Sequence, residues 1–173
     1  MRWSYLALLT MLMLSSLYES GLAQTATVEL EILRKQLSAD IENGRYVEAT
    51  ELATRAVDIS RQNFREDDSQ HVIALANLAF VYSLQGRFRD AEPIMKRTIE
   101  LGEQLLPPSH RLLAATLENL AGLYIAEGRH DEAGSTVQRA IEIVQLYFVG
   151  DEPATANILN NIGLLFISLG KHS

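Results

Sequence analysis

Cysteine is absent from all 173 residues, which removes disulfides, thiolate ligands and cysteine-linked lipid from the options. The absence is compatible with an oxidising compartment without demonstrating one. No apolar run approaches the ~20 residues needed to cross a bilayer. Lys and Arg together number 15 against 22 acidic residues, a net charge of −7, and no basic stripe is present. Nucleic-acid binding needs clustered cations on phosphates, so that class is set aside. There is no Gly-rich phosphate loop, and the four histidines, His71, His110, His130 and His172, include no pair at helical ligand spacing, which leaves neither a metal nor a cofactor to expect. They read as scattered among linkers and turns.

What is present is a period. Gly44, Gly86, Gly128 and Gly170 follow one another at intervals of 42 residues, and each is followed at once by Arg45, Arg87, Arg129 or Lys171. A fixed period carried without insertion or deletion is the mark of a solenoid whose units lean on their neighbours. Ahead of the glycines, Leu75, Leu78, Ala79 and Tyr82 fall at i, i+3, i+4 and i+7, one face of an amphipathic helix. After them come Ala49, Ala53 and Ala56, then Ala91, Met95 and Thr98, then Ala133, Val137 and Ala140, again at helical steps. Each unit is therefore predicted to be two antiparallel helices.

The glycine ends the first helix, because a residue without a side chain enters the left-handed C-cap conformation at little cost. Tyr46, Phe88, His130 and His172 stand two residues later, where a ring can wedge between the helices. Glu66-Asp67-Asp68-Ser69, Pro107-Pro108-Ser109 and Asp151-Glu152-Pro153 link successive units with N-cap candidates and prolines suited to a first turn. The acidic members also favour the positive end of the next helix.

The pattern Leu75-Ala76-Asn77-Leu78-Ala79, Tyr82, Gly86-Arg87-Phe88, Asp90-Ala91-Glu92-Pro93 and Lys96-Arg97 resembles the tetratricopeptide repeat family. Asn119-Leu120-Ala121, Tyr124, Gly128-Arg129, Asp131-Glu132-Ala133 and Arg139-Ala140 repeat it. The usual period is about 34 residues; the longer one points to the kinesin-light-chain-like branch, with the extra length in the second helix and linker. The resemblance implies an all-α, right-handed α-solenoid of helix pairs, with repeats at about 28–68, 69–110 and 111–152 and a partial one at 153–173. It also implies that the first helices line a concave groove.

Both ends depart from that pattern. The first helix of the first repeat, around Val28 to Asn43, has Gln36 where later copies have leucine or isoleucine, and Asp40 where they have an aromatic ring. It reads as a polar cap. The fourth repeat supplies a first helix, Thr155 to Leu169, and stops before a second, so Ile162, Leu165, Phe166 and Leu169 are expected to lack a cover. Truncation and self-association through this open end both account for it. At the start, Arg2 precedes the apolar run Tyr5 to Leu14, and Gly21-Leu22-Ala23 places small residues one and three positions before a cut at Gln24. That is the layout of a signal peptide over residues 1–23, ahead of an uncleaved anchor, and implies an exported, periplasmic or secreted chain with no stable membrane span after cleavage.

Asparagine recurs on the first helices at Asn77, Asn119 and Asn161, with Asn160 beside the last. An amide both donates and accepts, so such a ladder suits either the backbone of an extended peptide or a tie between neighbouring helices. The resemblance places further groove positions at Ala76, Phe80, Ser83, Glu118, Gly122, Ile125, Leu164 and Ile167, with Phe80 and Leu164 as apolar anchors. His130-Asp131-Glu132 aligns with the turn Phe88-Arg89-Asp90 and is read as structural. Arg55, Arg97 and Arg139, also 42 apart, are expected to pair with Asp58, Glu100 and Glu142 or to stay solvated, rather than to form an anion ladder. The resulting expectation is a non-enzymatic scaffold binding a protein or extended peptide. The rival is the N-terminal docking array of a longer enzyme, such as a repeat-bearing protease.

Overall fold

In a computed structural model, the backbone is described for residues 2–66, 68–105, 111–147 and 153–170, and the side chains for 21–66, 68–105, 111–145, 159–167 and 170. Seven helices follow one another among the described residues, with no strand: α1 (Arg2–Glu42), α2 (Tyr46–Asn63), α3 (Ser69–Leu84), α4 (Phe88–Leu105), α5 (Arg111–Ala126), α6 (His130–Tyr147) and α7 (Pro153–Gly170). They pair as hairpins α1–α2, α3–α4 and α5–α6, with α7 as a further first helix. The all-α repeat architecture is thus as expected. The second helices are 18 residues long, against 16 for α3 and α5.

The turns confirm the glycine argument in three of four copies. Gly44, Gly86 and Gly128 have φ of 70°, 70° and 73°. Each glycine amide donates to the carbonyl three residues back at 3.0 Å, and the arginine after it donates five residues back, Arg45 to Asp40 at 2.8 Å, Arg87 to Tyr82 at 2.9 Å and Arg129 to Tyr124 at 2.8 Å. This is the Schellman arrangement, which satisfies the last carbonyls of the first helix. Gly170 departs from it: it is the last residue of α7 and does not take the left-handed conformation. In the first link Asp68 caps α3, its carboxylate accepting from the Gln70 amide at 2.8 Å. Pro153 opens α7 at a first helical position. Pro107, Pro108 and Ser109 lie outside the described residues.

All nine second-helix positions expected to face inward do so: Ala49, Ala53, Ala56, Ala91, Met95, Thr98, Ala133, Val137 and Ala140 are at most 3% exposed. Small residues there let helices approach closely, while Met95, Leu117 and Val137 fill the space between pairs. Gln36 is exposed where its counterparts Leu78, Leu120 and Ile162 are buried, as expected for the first unit.

Two expectations fail. α1 does not begin near Val28; it runs from Arg2 and passes through Gly21-Leu22-Ala23 without a break, with Ala26 and Leu30 buried along it. Among the described residues no helix is long and apolar enough to cross a membrane. Of the four residues expected to lack a cover, Ile162 and Leu165 are covered within the chain. Ile162 is 3% exposed and belongs to the core of α3–α6, with Leu165 packed against it. Helix α7 lies against both α5 and α6, and this stacking on the preceding repeat supplies the cover. Phe166 is exposed, and the Leu169 side chain lies outside the described residues.

Candidate functional site

Successive first helices touch one another, α1 with α3, α3 with α5 and α5 with α7, whereas among the described residues α2, α4 and α6 do not. An array whose first helices sit closer together than its second helices curves with the first helices inside. The groove is therefore built from α1, α3, α5 and α7.

A cavity of about 500 Å³ lies in it, lined by Ala76, Asn77 and Phe80 of α3, Met95 of α4, Leu112, Ala115, Thr116, Glu118 and Asn119 of α5, and Asn161 of α7. Thus Asn77, Asn119, Asn161, Phe80 and Glu118 converge on one site. The remaining candidates do not. Ser83 is half-buried and donates to the Phe80 carbonyl on its own helix at 2.7 Å. Ile125 packs against the core, Asn160 is exposed, and Leu164 and Ile167 are exposed on α7 away from the cavity lining. Gly122 approaches the Leu165 side chain, where an added Cβ would stand 4.0 Å from it.

The asparagines are not equivalent. Asn161 Nδ2 donates to Glu118 Oε1 at 2.7 Å, joining α7 to α5, so this rung ties helices together. Among the described residues the Asn77 and Asn119 amides bond no other protein group, and both are half-buried at the cavity wall. Burial pushes the Glu118 carboxyl above its usual range, and the Asn161 amide only partly opposes this.

The outer face is occupied by ion pairs. Arg55 reaches Glu29 at 2.5 Å, Arg97 reaches Glu66 at 2.7 Å and Glu100 at 3.2 Å, and Arg139 pairs with Glu103. Pairing rather than an anion ladder is correct, but only Glu100 is an expected partner. Asp58 pairs instead with Arg61, and Glu142 accepts from Gln138. Glu29, Glu66 and Glu103 lie on other elements, so each of these arginines bridges two elements, and Arg97 alone of the three also pairs within its own helix, with Glu100. At the inter-repeat seam, Arg129 forks onto Glu92, with Nη1 to Oε2 at 2.8 Å and Nη2 to Oε1 at 3.0 Å. Lys96 adds a contact at 2.8 Å. These hydrogen bonds, Arg129 first, hold the Glu92 carboxyl down at about 2.

Sequence reasoning missed one buried polar pair. His71 lies in the first turn of α3 and not in a linker, and its Nδ1 is 2.9 Å from Ser60 Oγ, with both residues buried. Ser60 donates its single proton to the Val57 carbonyl at 2.8 Å, so His71 Nδ1 carries the hydrogen and donates to the serine oxygen. A histidine in that orientation cannot take the serine proton, and the serine is fully buried, so this pair is a helix tie and not a nucleophilic dyad. His110 and His172 lie outside the described residues. Among the described residues no cluster of His, Asp or Glu forms a metal site.

No curated protein matches the chain. In fold it is similar to a kinesin-light-chain-like protein of Podosopora anserina with nearly identical TPR-like repeats, at a TM-score of 0.67 and 20% identity over 86% of this chain and 68% of that one. It is also similar to BtubC (BKLC) from P. vanneervenii, at 0.69 and 23% identity, covering 82% of this chain and 56% of the other. The tetratricopeptide repeat family profile matches residues 32–104 and 112–173, a span that takes in most of the helix pairs and turns described above, and the chain therefore belongs to the tetratricopeptide repeat family.

Proposed function

We propose that this protein is an exported, non-enzymatic scaffold that receives an extended peptide, or such a segment of a partner protein, in its inner groove. A repeat array of this family supports an interaction role. The observation that carries the finer reading is the cavity itself: Asn77 and Asn119 face it from neighbouring repeats, with amide groups bonded to no other protein group among the described residues. Half-buried amides of that kind are at their most favourable when a ligand supplies donors and acceptors, and a peptide backbone offers both along its length. Export rests on Gly21-Leu22-Ala23 before Gln24 and the apolar run upstream.

The test is an array of immobilised octapeptides of varied sequence, probed with the wild-type chain and with Asn119→Ala. Loss of one amide contact is expected to weaken retained peptides by ~1 kcal/mol while leaving the melting temperature close to wild type. A large fall in melting temperature, with peptide retention by the folded fraction unchanged, would show that the ladder serves the fold.

A further inference from the structure

Among the ten residues lining the groove cavity, Glu118 alone is charged. It is half-buried, and among the described residues its side-chain bond is to a neutral amide, Asn161 Nδ2 at 2.7 Å. Elsewhere in the molecule a half-buried carboxylate is treated differently: Glu92 is held by both Arg129 and Lys96. Among the described residues no ion pair joins Glu118 to a cation: α4, whose Met95 also lines the cavity, carries Arg89, Lys96 and Arg97, but Lys96 is held by Glu92 and Arg97 by Glu66 and Glu100, and none of the three lines the cavity. α3 and α7 contain no Asp, Glu, Lys or Arg, and α5 contains only Glu118 and Arg111, the latter at its first residue nearly two turns away. On α1 the equivalent register position is Arg34, which is engaged with Gln70 Oε1 at 2.9 Å.

A carboxylate taken partly out of water without a countercharge is unfavourable for the free protein. Glu118 stays there beside Asn119 and across from Phe80 in one cavity. We propose that the groove selects a partner segment carrying a lysine or arginine, whose cationic head is received by the Glu118 carboxylate and whose alkyl stem lies along Phe80 and Ala76. The inference rests on the inner groove being the binding face and adds the chemistry it selects. Several features fit it. The Asn161 amide occupies one carboxylate oxygen and leaves the other to accept. The Asn77 and Asn119 carbonyl groups are further acceptors for an ammonium with three donors or a guanidinium with five. An aromatic face beside an aliphatic stem suits a side chain that buries its methylenes and keeps its charge at a polar tip. An acidic segment would find no cation in the lining and would meet Glu118 with like charge.

The experiment uses the full chain on a positional array of octapeptides in which one site is varied among Lys, Arg, Gln and Glu. Wild type is expected to retain Lys and Arg peptides over Gln by about tenfold, the scale of one charge-assisted hydrogen bond in a half-exposed site, with that preference shrinking as salt is raised. Glu118→Gln keeps an oxygen for Asn161 and should fold normally, verified by circular dichroism and melting; it should lose the cation preference and leave the Gln peptides unchanged. Glu118→Lys should turn the preference toward Glu. A wild-type array with no charge preference, or with an acidic one, whose peptides are still weakened by Asn119→Ala, overturns the cation inference and leaves the groove reading standing. An equal loss across all peptides in Glu118→Gln shows a purely structural role and also overturns it. Retention of no peptide by wild type overturns both readings.

Discussion

The guanidinium of Arg129 lies with its carbon 4.2 Å from the centroid of the Tyr124 ring. These are the residue after the turn glycine and the residue whose carbonyl it caps. Arg87 and Tyr82 repeat the relationship at 4.1 Å in the preceding unit. In the first unit Asp40 replaces the tyrosine, and Arg45 forms an ion pair with it at 2.5 Å. The backbone motif is therefore constant while the contact that closes it changes from ring stacking to charge pairing. Among the described residues, only Arg129 of these arginines extends the contact across a seam, through its fork onto Glu92.

Removing Arg129 should therefore be felt most at Glu92. In Arg129→Ala the Glu92 carboxyl is expected to rise from about 2 toward the ordinary carboxylate range, with Lys96 still holding it somewhat low. Because the folded-state value is depressed, this pairing stabilises the wild type above the unfolded value of 4.5 and is lost as pH falls toward about 2. The variant should show a shallower loss over that window. Carbon NMR of the Glu92 carboxyl reads the shift directly, and an unchanged titration would show that Lys96 alone sets it.

The turn glycines give a cleaner backbone experiment. A Cβ added at Gly86 meets nothing within 4 Å, yet φ is +70°. Gly86→Ala should therefore cost about 1–2 kcal/mol from backbone conformation alone, and Gly86→Asn less, since asparagine tolerates the left-handed region. Denaturant unfolding of the three chains checks the order; an Ala variant as stable as wild type would mean the turn relaxes to another conformation.

His71 supplies a pH dependence separate from that of Glu92. Burial lowers its pKa below 6.5; Arg61 and Arg97 act in the same direction, and the nearby carboxylates Glu66 and Asp68 oppose it. The neutral form is thus favoured on folding, so the contribution is complete above pH 6.5 and is lost as pH falls from there through the lowered folded value. Wild type should lose stability on mild acidification, starting above the carboxylate range. His71→Leu should flatten that part of the curve, and thermal melts between neutral and mildly acidic pH would show it. An identical slope in both chains would assign the effect elsewhere.

Much of this fold was legible because it repeats. The glycine series fixed the turns, and three-residue and four-residue steps located Ala49, Met95 and Val137 in the core. What escaped depends on contacts between elements that do not share the period. Arg55, Arg97 and Arg139 are 42 apart, but Glu29, Glu66 and Glu103 belong to a helix, a linker and another helix, so repeat alignment cannot pair them. The Ser60–His71 tie likewise joins two positions with no counterpart pair in the next unit, where Gly102 and Leu113 stand. Of the groove positions that the family resemblance placed, Ala76, Asn77, Phe80, Glu118, Asn119 and Asn161 line the cavity. Ser83 and Ile125 do not line it, because helix rotation decides which of two adjacent faces meets the cavity.

The same geometry decides the last prediction. Ile162 and Leu164 stand two positions apart and are both apolar, but Ile162 is 3% exposed and Leu164 57% exposed. Ile162→Ala should leave a cavity against α5 and α6 and cost about 2–5 kcal/mol, whereas Leu164→Ala should stay within about 0.5 kcal/mol of wild type. In a repeat array each unit is held mainly by its neighbour, so the loss should fall first on α7 and not on the whole chain. Amide hydrogen exchange resolves this: Ile162→Ala should accelerate exchange along α7 and leave α3 and α4 protected, while Leu164→Ala leaves both unchanged. Faster exchange in Leu164→Ala than in Ile162→Ala would mean that α7 packs through its other face, and the placement of Ile162 in the core would then be wrong.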